Sequence, residues 1–416
     1  MASGGKLQAP RGTFDVLPDE GRRRAKLRAL CEELFEPAGY GWIETPIFEA
    51  TELFARGVGE TTDIVQKEMF TFEDQGGRSL TLRPEGTAGV CRAYLEHGMH
   101  KQPQPVKLWY FGQFFRHETP QAGRFRQFNQ LGIEAIGSDD PSLDAETILL
   151  LSYLLERVGA KGLRLRIGSL GTPETRRAYS DELREYLRSR EGELSDEVRG
   201  RLDANPLRAF DSDHPGTQAV VREAPKLLER LNEEDAAHFA EVRALLDDAG
   251  RTYDVDDALV RGIDYYTRTV FEFTSDALGA QSGVGGGGRY DGLMEQLGGQ
   301  HTPGVGFASG IERILMVSDG LATEQPVPDV YVASDGDVAT RDAAAALRTV
   351  REAGFSGQME QAGRSLKGQL KQADRVGARV TLILGQGVSV KDMGSGEQRD
   401  TPDMAAALTA LKEILA

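Results

Sequence analysis

Cysteine is nearly absent. Cys31 and Cys91 are the only two in 416 residues, which excludes a disulfide scaffold and any C-x-x-C metal or redox site. A reducing cytoplasm fits that usage. Long apolar runs are missing too: no stretch of about 18 uncharged apolar residues occurs, so no membrane-spanning helix is expected. Met1 to Pro10 holds no apolar segment and reads as a loose leader rather than a signal peptide. Positive charge is not in excess, since 49 basic against 65 acidic residues leave −16. That argues against a protein that merely coats nucleic acid. No P-loop, G-x-S-x-G or H-E-x-x-H motif is present. His97 and His100 are three apart with no third ligand nearby, so no metal site is expected.

The composition that remains, 39% hydrophobic and 27% charged, is that of a folded globular chain. Its length suits two or three domains. Arg22 to Phe35 reads as a helix, stopped by Pro37 and Gly39. Period-two patterns mark strands at Ser79–Arg83, Lys107–Glu118 and Asn129–Ile136. The last two lack an intervening helix, which predicts an antiparallel sheet, with Thr119–Arg126 as a basic hairpin loop. Asp144–Val158 reads as an apolar helix and Arg164–Gly168 as a strand. From Thr172 to about Arg251 the chain turns charged and aromatic-poor, as a helical insertion would. Strand pattern returns at Val260–Thr274, before the glycine-rich tracts Gly283–Gly288 and Gly304–Gly310. The first formally satisfies G-x-G-x-x-G but has no βαβ unit around it. Beyond Pro326 and Pro328, strands and helices alternate as in an α/β domain of about 90 residues. Within it, Arg341–Arg379 carries 8 basic and 4 acidic residues, a candidate basic stripe for a phosphate backbone.

The polar residues on these elements suggest a site. Arg116 and Glu118 fall on one strand face. Gln130 and Glu134 flank Gly132, an apparent open floor between two acceptors. Arg83, Arg116, Arg261 and Arg313 each adjoin small or polar residues. Such guanidinium forks can bind phosphoryl oxygens without a P-loop.

Seven segments carry a resemblance. They are Arg11–Asp15, Leu82–Thr87, Phe115–Glu118, Arg126–Gly132, Leu259–Tyr266, Gly287–Gly292 and Gly304–Arg313. In this order the chain resembles the histidyl-tRNA synthetases, a class II aminoacyl-tRNA synthetase family. The resemblance implies an α+β fold: an antiparallel catalytic sheet flanked by helices, a helical insertion, and a C-terminal α/β anticodon-binding domain. The boundaries expected are 1–325, with the insertion at about 172–251, and 326–416. A homodimer formed around Tyr40–Phe54 is implied, in the cytoplasm. The implied substrates are L-histidine, ATP with Mg2+, and tRNA(His), with no membrane partner and no protein-held metal.

The resemblance also implies roles. Arg116, Arg261 and Arg313 would be catalytic, Arg116 on the α-phosphate and substrate carboxylate, Arg261 opposite it, Arg313 at the γ-phosphate. Glu85, Gly86, Thr87, Arg116, Gln130, Glu134, Arg261, Tyr265 and Tyr266 would hold histidine. Arg116, Glu118, Arg124, Phe128 and Arg313 would hold ATP, Phe128 by stacking on adenine. Gln121 and Arg124 would touch the tRNA acceptor end. The segment Gly385–Gln398 is short for the family, which leaves any contact of a longer loop there without support. A histidine-sensing regulatory subunit of ATP phosphoribosyltransferase is the alternative in this lineage. Such subunits typically lack the C-terminal domain and part of the arginine set, both present here. A pseudo-synthetase module regulating a kinase is a third reading, but no kinase motif accompanies it.

Overall fold

The computed structural model describes residues 6–59, 62–259 and 263–416. The chain divides into two compact units, Met1–Thr323 and Glu324–Ala416.

The first unit opens with α1 (Pro18–Phe35), whose Pro18, Asp19 and Glu20 suit a helix start. There follow β1 (Gly41–Trp42), β2 (Phe48–Ala50), α2 (Thr51–Val58), β3 (Phe70–Glu73), β4 (Ser79–Leu82) and α3 (Thr87–Glu96). The two long strands β5 (Val106–Phe115) and β6 (Gln127–Ile136) come next, then α4 (Pro141–Arg157) and β7 (Leu163–Ser169). A helical stretch intervenes: α5 (Pro173–Ser189), α6 (Asp196–Arg201), α7 (Pro215–Arg222) and α8 (Glu233–Asp248). The unit finishes with β8 (Asp254–Val255), β9 (Thr267–Ser275), β10 (Gly283–Arg289), α9 (Leu293–Gln296), β11 (Gly304–Gly310) and α10 (Ile311–Val317).

Eight strands make one sheet in the order β1-β5-β6-β11-β10-β9-β7-β8. Its six inner strands are antiparallel throughout; the two-residue strands β1 and β8 pair parallel at the edges. β2, β4 and β3 form a separate small antiparallel sheet. The alternation read in β6 holds. Leu131, Ile133 and Ala135 are buried with Phe35, Trp109 and Leu151 in the core under α1 and α4. The opposite face carries Gln130, Gly132 and Glu134.

Two expectations need correction. The strand at Lys107–Glu118 stops at Phe115, so Arg116 and Glu118 sit in the hairpin loop rather than on one strand face. The strand expected from Val260 begins at Thr267; 263–266 are not strand, and 260–262 lie outside the described residues. The G-x-G-x-x-G match, discounted for want of a βαβ unit, is no phosphate-cradling turn: Gly283–Arg289 is the antiparallel strand β10.

The second unit comprises β12 (Val330–Ser334), α11 (Thr340–Glu352), β13 (Gly357–Met359), α12 (Leu366–Arg375), β14 (Val380–Leu384), β15 (Val388–Asp392), β16 (Gln398–Thr401) and α13 (Met404–Leu415). Its sheet order is β13-β12-β14-β15-β16. Val330, Val332 and Leu382 pack on α11 and α13, whereas Tyr331, Ala333 and Ile383 pack on α12. α11 and α12 therefore cover opposite faces. The basic residues of Arg341–Arg379 are split between those faces and do not form one stripe.

Candidate active site

A cavity of about 320 Å³ opens on the polar face of the large sheet. That volume suits a small-molecule site. It is lined from six stretches of the sequence, and the sheet register explains the convergence of those on its strands. Gln130 lies opposite Gly112 on β5 and Gly310 on β11; Glu134 lies opposite Gly306 on β11. Glycine at 306 is needed, because a Cβ there would overlap the Glu134 carboxylate, 2.8 Å from its Cδ.

One half of the cavity is built of carboxylates and phenols. Glu85 follows β4 and turns back onto the start of α3, accepting from the amides of Thr87 at 2.7 Å and Ala88 at 2.9 Å. The Tyr265 hydroxyl donates to it at 3.4 Å. Thr87, Tyr265, Tyr266 and Tyr290 line the same wall, and the Tyr265 ring meets Tyr266 and Tyr290 edge-on. Glu134 stands one layer behind. Its partners are three hydroxyls: Tyr290 at 2.6 Å, Thr87 at 2.7 Å and Tyr110 at 3.4 Å. Only 1% of Glu134 and 3% of Glu85 is exposed. Burial pushes the Glu134 carboxyl up to about 8 against the pull of the hydroxyls, and raises Glu85 as well. The Gln130 side-chain oxygen lines the cavity, buried, with no hydrogen-bond partner among the described residues. A buried acceptor left open is costly unless something donates to it.

The other half is cationic. Arg116, just past β5, donates to the Pro84 carbonyl at 2.9 Å and lies over the Phe128 ring at 5.5 Å. Arg124, in the hairpin loop, sits 3.3 Å from Glu118. Arg313, on α10, donates to the carbonyls of Gly123, at 3.1 Å, and Gly283. Its proton affinity is lowered by burial first and then by the Arg124 guanidinium. Guanidinium groups crowded together, two of them hydrogen-bonded to main-chain carbonyls, have the chemistry to hold an anion. The hairpin loop is itself braced: Arg126 donates its amide to Gly12, and Phe14 packs on Phe125 at 4.6 Å.

Among the described residues no three His, Cys, Asp or Glu side chains converge to hold a metal. The carboxylates of the cationic half are engaged. Glu312 accepts from Asn129 and Arg24, Glu118 pairs with Arg124, and Glu272 with Arg166.

A family model described as histidyl-tRNA synthetase matches residues 12–314. The chain belongs to the histidyl-tRNA synthetase family. The histidine–tRNA ligase of Halothermothrix orenii is 48% identical over 401 residues, covering 94% of this chain and 96% of that one. The corresponding ligase of Saccharopolyspora erythraea is 46% identical over 418 residues, covering 98% and 99%. The solved structure of the apo histidyl-tRNA synthetase of S. aureus superposes with a TM-score of 0.80 at 37% identity, covering 98% of this chain and all of that one.

Of the residues singled out from the sequence, ten line this one cavity: Glu85, Thr87, Arg116, Glu118, Arg124, Phe128, Gln130, Tyr265, Tyr266 and Arg313. Gly86 and Glu134 stand behind its wall. Gln121 pairs with Arg124 within the hairpin loop, away from the lining. Arg261 lies outside the described residues. Two expectations fail. Arg83 is not a phosphate ligand: its guanidinium donates to the Gln113 and Thr45 carbonyls and stacks on Phe114, tying the small sheet to β5. The floor at Gly132 is not open, because Tyr110 fills it; a Cβ at 132 would overlap that phenol. The sequence reading also missed Tyr290, Glu272 and Glu312 as lining residues. Tyr290 lies within Gly287–Gly292, but nothing in the pattern tells its hydroxyl from a core tyrosine's.

Proposed function

We propose that this chain is a histidine–tRNA ligase that activates L-histidine with ATP and transfers it to tRNA(His). The observation that carries the reading is the shared cavity: Arg116, Arg124 and Arg313 face the same space as Glu85, Gln130, Tyr265 and Tyr266. A triphosphate needs the first set, and an ammonium-bearing imidazole amino acid suits the second.

In the first step a histidine carboxylate oxygen bonds to the α-phosphorus of ATP. The bridging bond to the β-phosphate breaks and pyrophosphate leaves. Charge builds on the α-phosphoryl oxygens, where fixed guanidinium groups stabilise it. Arg116 binds that phosphate and the attacking carboxylate, Arg313 the γ-phosphate end. Arg261 serves the far side of the α-phosphate on the family pattern. Phe128, under Arg116, offers a face for adenine, with Glu118 and Arg124 beside it. Glu85 and Gln130 receive the histidine ammonium and ring donors. Gly86 lets α3 start close against Tyr110, whose ring a Cβ there would overlap. Glu134 holds Thr87 and Tyr290 in place from behind the wall. In the second step the terminal adenosine hydroxyl of tRNA attacks the mixed anhydride, and AMP leaves. Mg2+ arrives on ATP as substrate, since the cavity's carboxylates are already engaged.

Gln121 and Arg124 place the hairpin loop at the acceptor end of tRNA, and the second unit reads the anticodon. A homodimer forms around Tyr40–Phe54, where Phe48, 52% exposed, meets the ring of Phe72, 44% exposed, edge to face. Among the described residues no helix is long and apolar enough to cross a membrane. The two buried free thiols suit a cytoplasmic setting.

Histidine-dependent ATP–pyrophosphate exchange by the purified protein, followed by charging of tRNA(His), tests the reading. Both activities are expected. Histidine binding without exchange would refute it in favour of a sensor.

A further inference from the structure

One side chain of the helical stretch reaches the backbone of the pocket wall. Arg176 lies in the first turn of α5. That turn is rigidly placed. Thr172 caps it, accepting from the Thr175 amide, and Pro173 begins it. The Thr175 hydroxyl donates to Asp235 on α8 at 2.9 Å. From this base the Arg176 fork spans two carbonyls. Nη1 donates to Asp264 at 3.1 Å and Tyr266 at 2.9 Å, and Nη2 to Asp264 at 3.2 Å. These carbonyls bracket Tyr265. The segment they belong to is not strand, and the Asp264 amide donates to the Val58 carbonyl at 3.3 Å. Where the strand begins, Arg268 holds a left-handed φ of 46°. Such a conformation persists only when its surroundings over-determine it. Here Gly171 accepts its amide, Leu170 donates to its carbonyl, and its side chain pairs with Asp235. The residues just before α5, and α5 and α8 themselves, thus grip 264–268 from outside the cavity.

We propose that Arg176 is a positioning residue for amino-acid binding: its fork sets where Tyr265 and Tyr266 stand. This rests on those tyrosines forming the histidine wall. Removing the fork weakens histidine binding and leaves ATP binding unchanged, because Arg116, Arg124 and Arg313 are held by other elements.

The test compares Arg176→Met, Arg176→Lys and the control Arg184→Met, whose arginine lies two turns along α5 and pairs with Asp181. Pyrophosphate exchange gives KM for histidine and for ATP. Hydrogen exchange reads the amides of 263–267. Arg176→Met is expected to raise KM for histidine about tenfold or more, the loss of charge-assisted bonds, with KM for ATP within about twofold. Its 263–267 amides exchange faster while those of β6 do not. Arg176→Lys, which reaches one carbonyl, falls between, and Arg184→Met matches the unaltered protein. An unchanged histidine KM, or histidine and ATP values rising together, overturns the proposal. If Arg176→Met folds poorly, the same split in Arg176→Lys decides. An unaltered protein with no histidine-dependent exchange overturns the proposed function instead. In that event, unaltered amide exchange at 263–267 in Arg176→Met would still refute the hold.

Discussion

Replacing Glu134 with glutamine probes the buried half of the cavity most sharply. The carboxyl is fully enclosed and its partners are hydroxyls, so burial lifts it from 4.5 to about 8. In the unfolded chain it ionises near its ordinary value. Between those two pH values the folded protein keeps a proton that the unfolded chain has lost. Stability from this group is therefore fully present below about pH 4.5 and drains away as pH rises towards 8, at ~1.4 kcal/mol per pH unit. The whole loss is about 5 kcal/mol. Glutamine does not titrate, and its neighbours Tyr290, Thr87 and Tyr110 can reorient their hydroxyls to meet it. The difference in unfolding free energy between Glu134→Gln and the unaltered protein should then grow in favour of the variant from pH 5 to pH 8 and level off beyond. Chemical denaturation of both proteins across pH 5 to 9 measures it, since all other titrations cancel in the difference. A difference independent of pH would refute the assignment of a buried, proton-holding carboxyl.

Arg261→Ala is expected to lower histidine-dependent pyrophosphate exchange by about a hundredfold or more while the unfolding midpoint holds; near-normal turnover would remove Arg261 from the chemistry. Gly132→Ala forces a methyl into the Tyr110 phenol and to 2.5 Å from the Phe307 carbonyl. It should destabilise the first unit by about 3 kcal/mol, seen as a fall in the denaturation midpoint, and wild-type stability would show that Tyr110 moves freely. Removing residues 324–416 should spare pyrophosphate exchange and abolish tRNA charging. Equal loss of both would contradict the division of labour between the units.

Legibility in the sequence followed the periodicity of side chains. β5 and β6 could be read because apolar residues alternate along them, and with them the antiparallel sheet and the basic hairpin loop. β10 could not, since Gly283 to Gly288 has almost no side chains to alternate. The arginines of the cavity were found as residues beside small or polar neighbours, and that signal is blunt: it selected Arg83 alongside Arg116 and Arg313. Only coordinates separate a guanidinium spent on the Gln113 and Thr45 carbonyls from one facing a cavity. Gly132 failed as an open floor because the side chain that fills it, Tyr110, comes from the neighbouring strand through register. The basic run in the second unit looked like one stripe because sequence order hides that α11 and α12 lie on opposite faces. Arg176 carried no signal at all, as its partners are carbonyls 88 and 90 residues away.

Everything turns on cationic side chains from the hairpin loop and α10 meeting one triphosphate beside a pocket for imidazole. A crystal structure with L-histidine and a non-hydrolysable ATP analogue tests it most directly. The α-phosphate is expected against Arg116, the γ-phosphate against Arg313, and the imidazole among Gln130, Tyr265 and Tyr266. Nucleotide bound elsewhere, or histidine lodged away from Glu85 and Gln130, would contradict it.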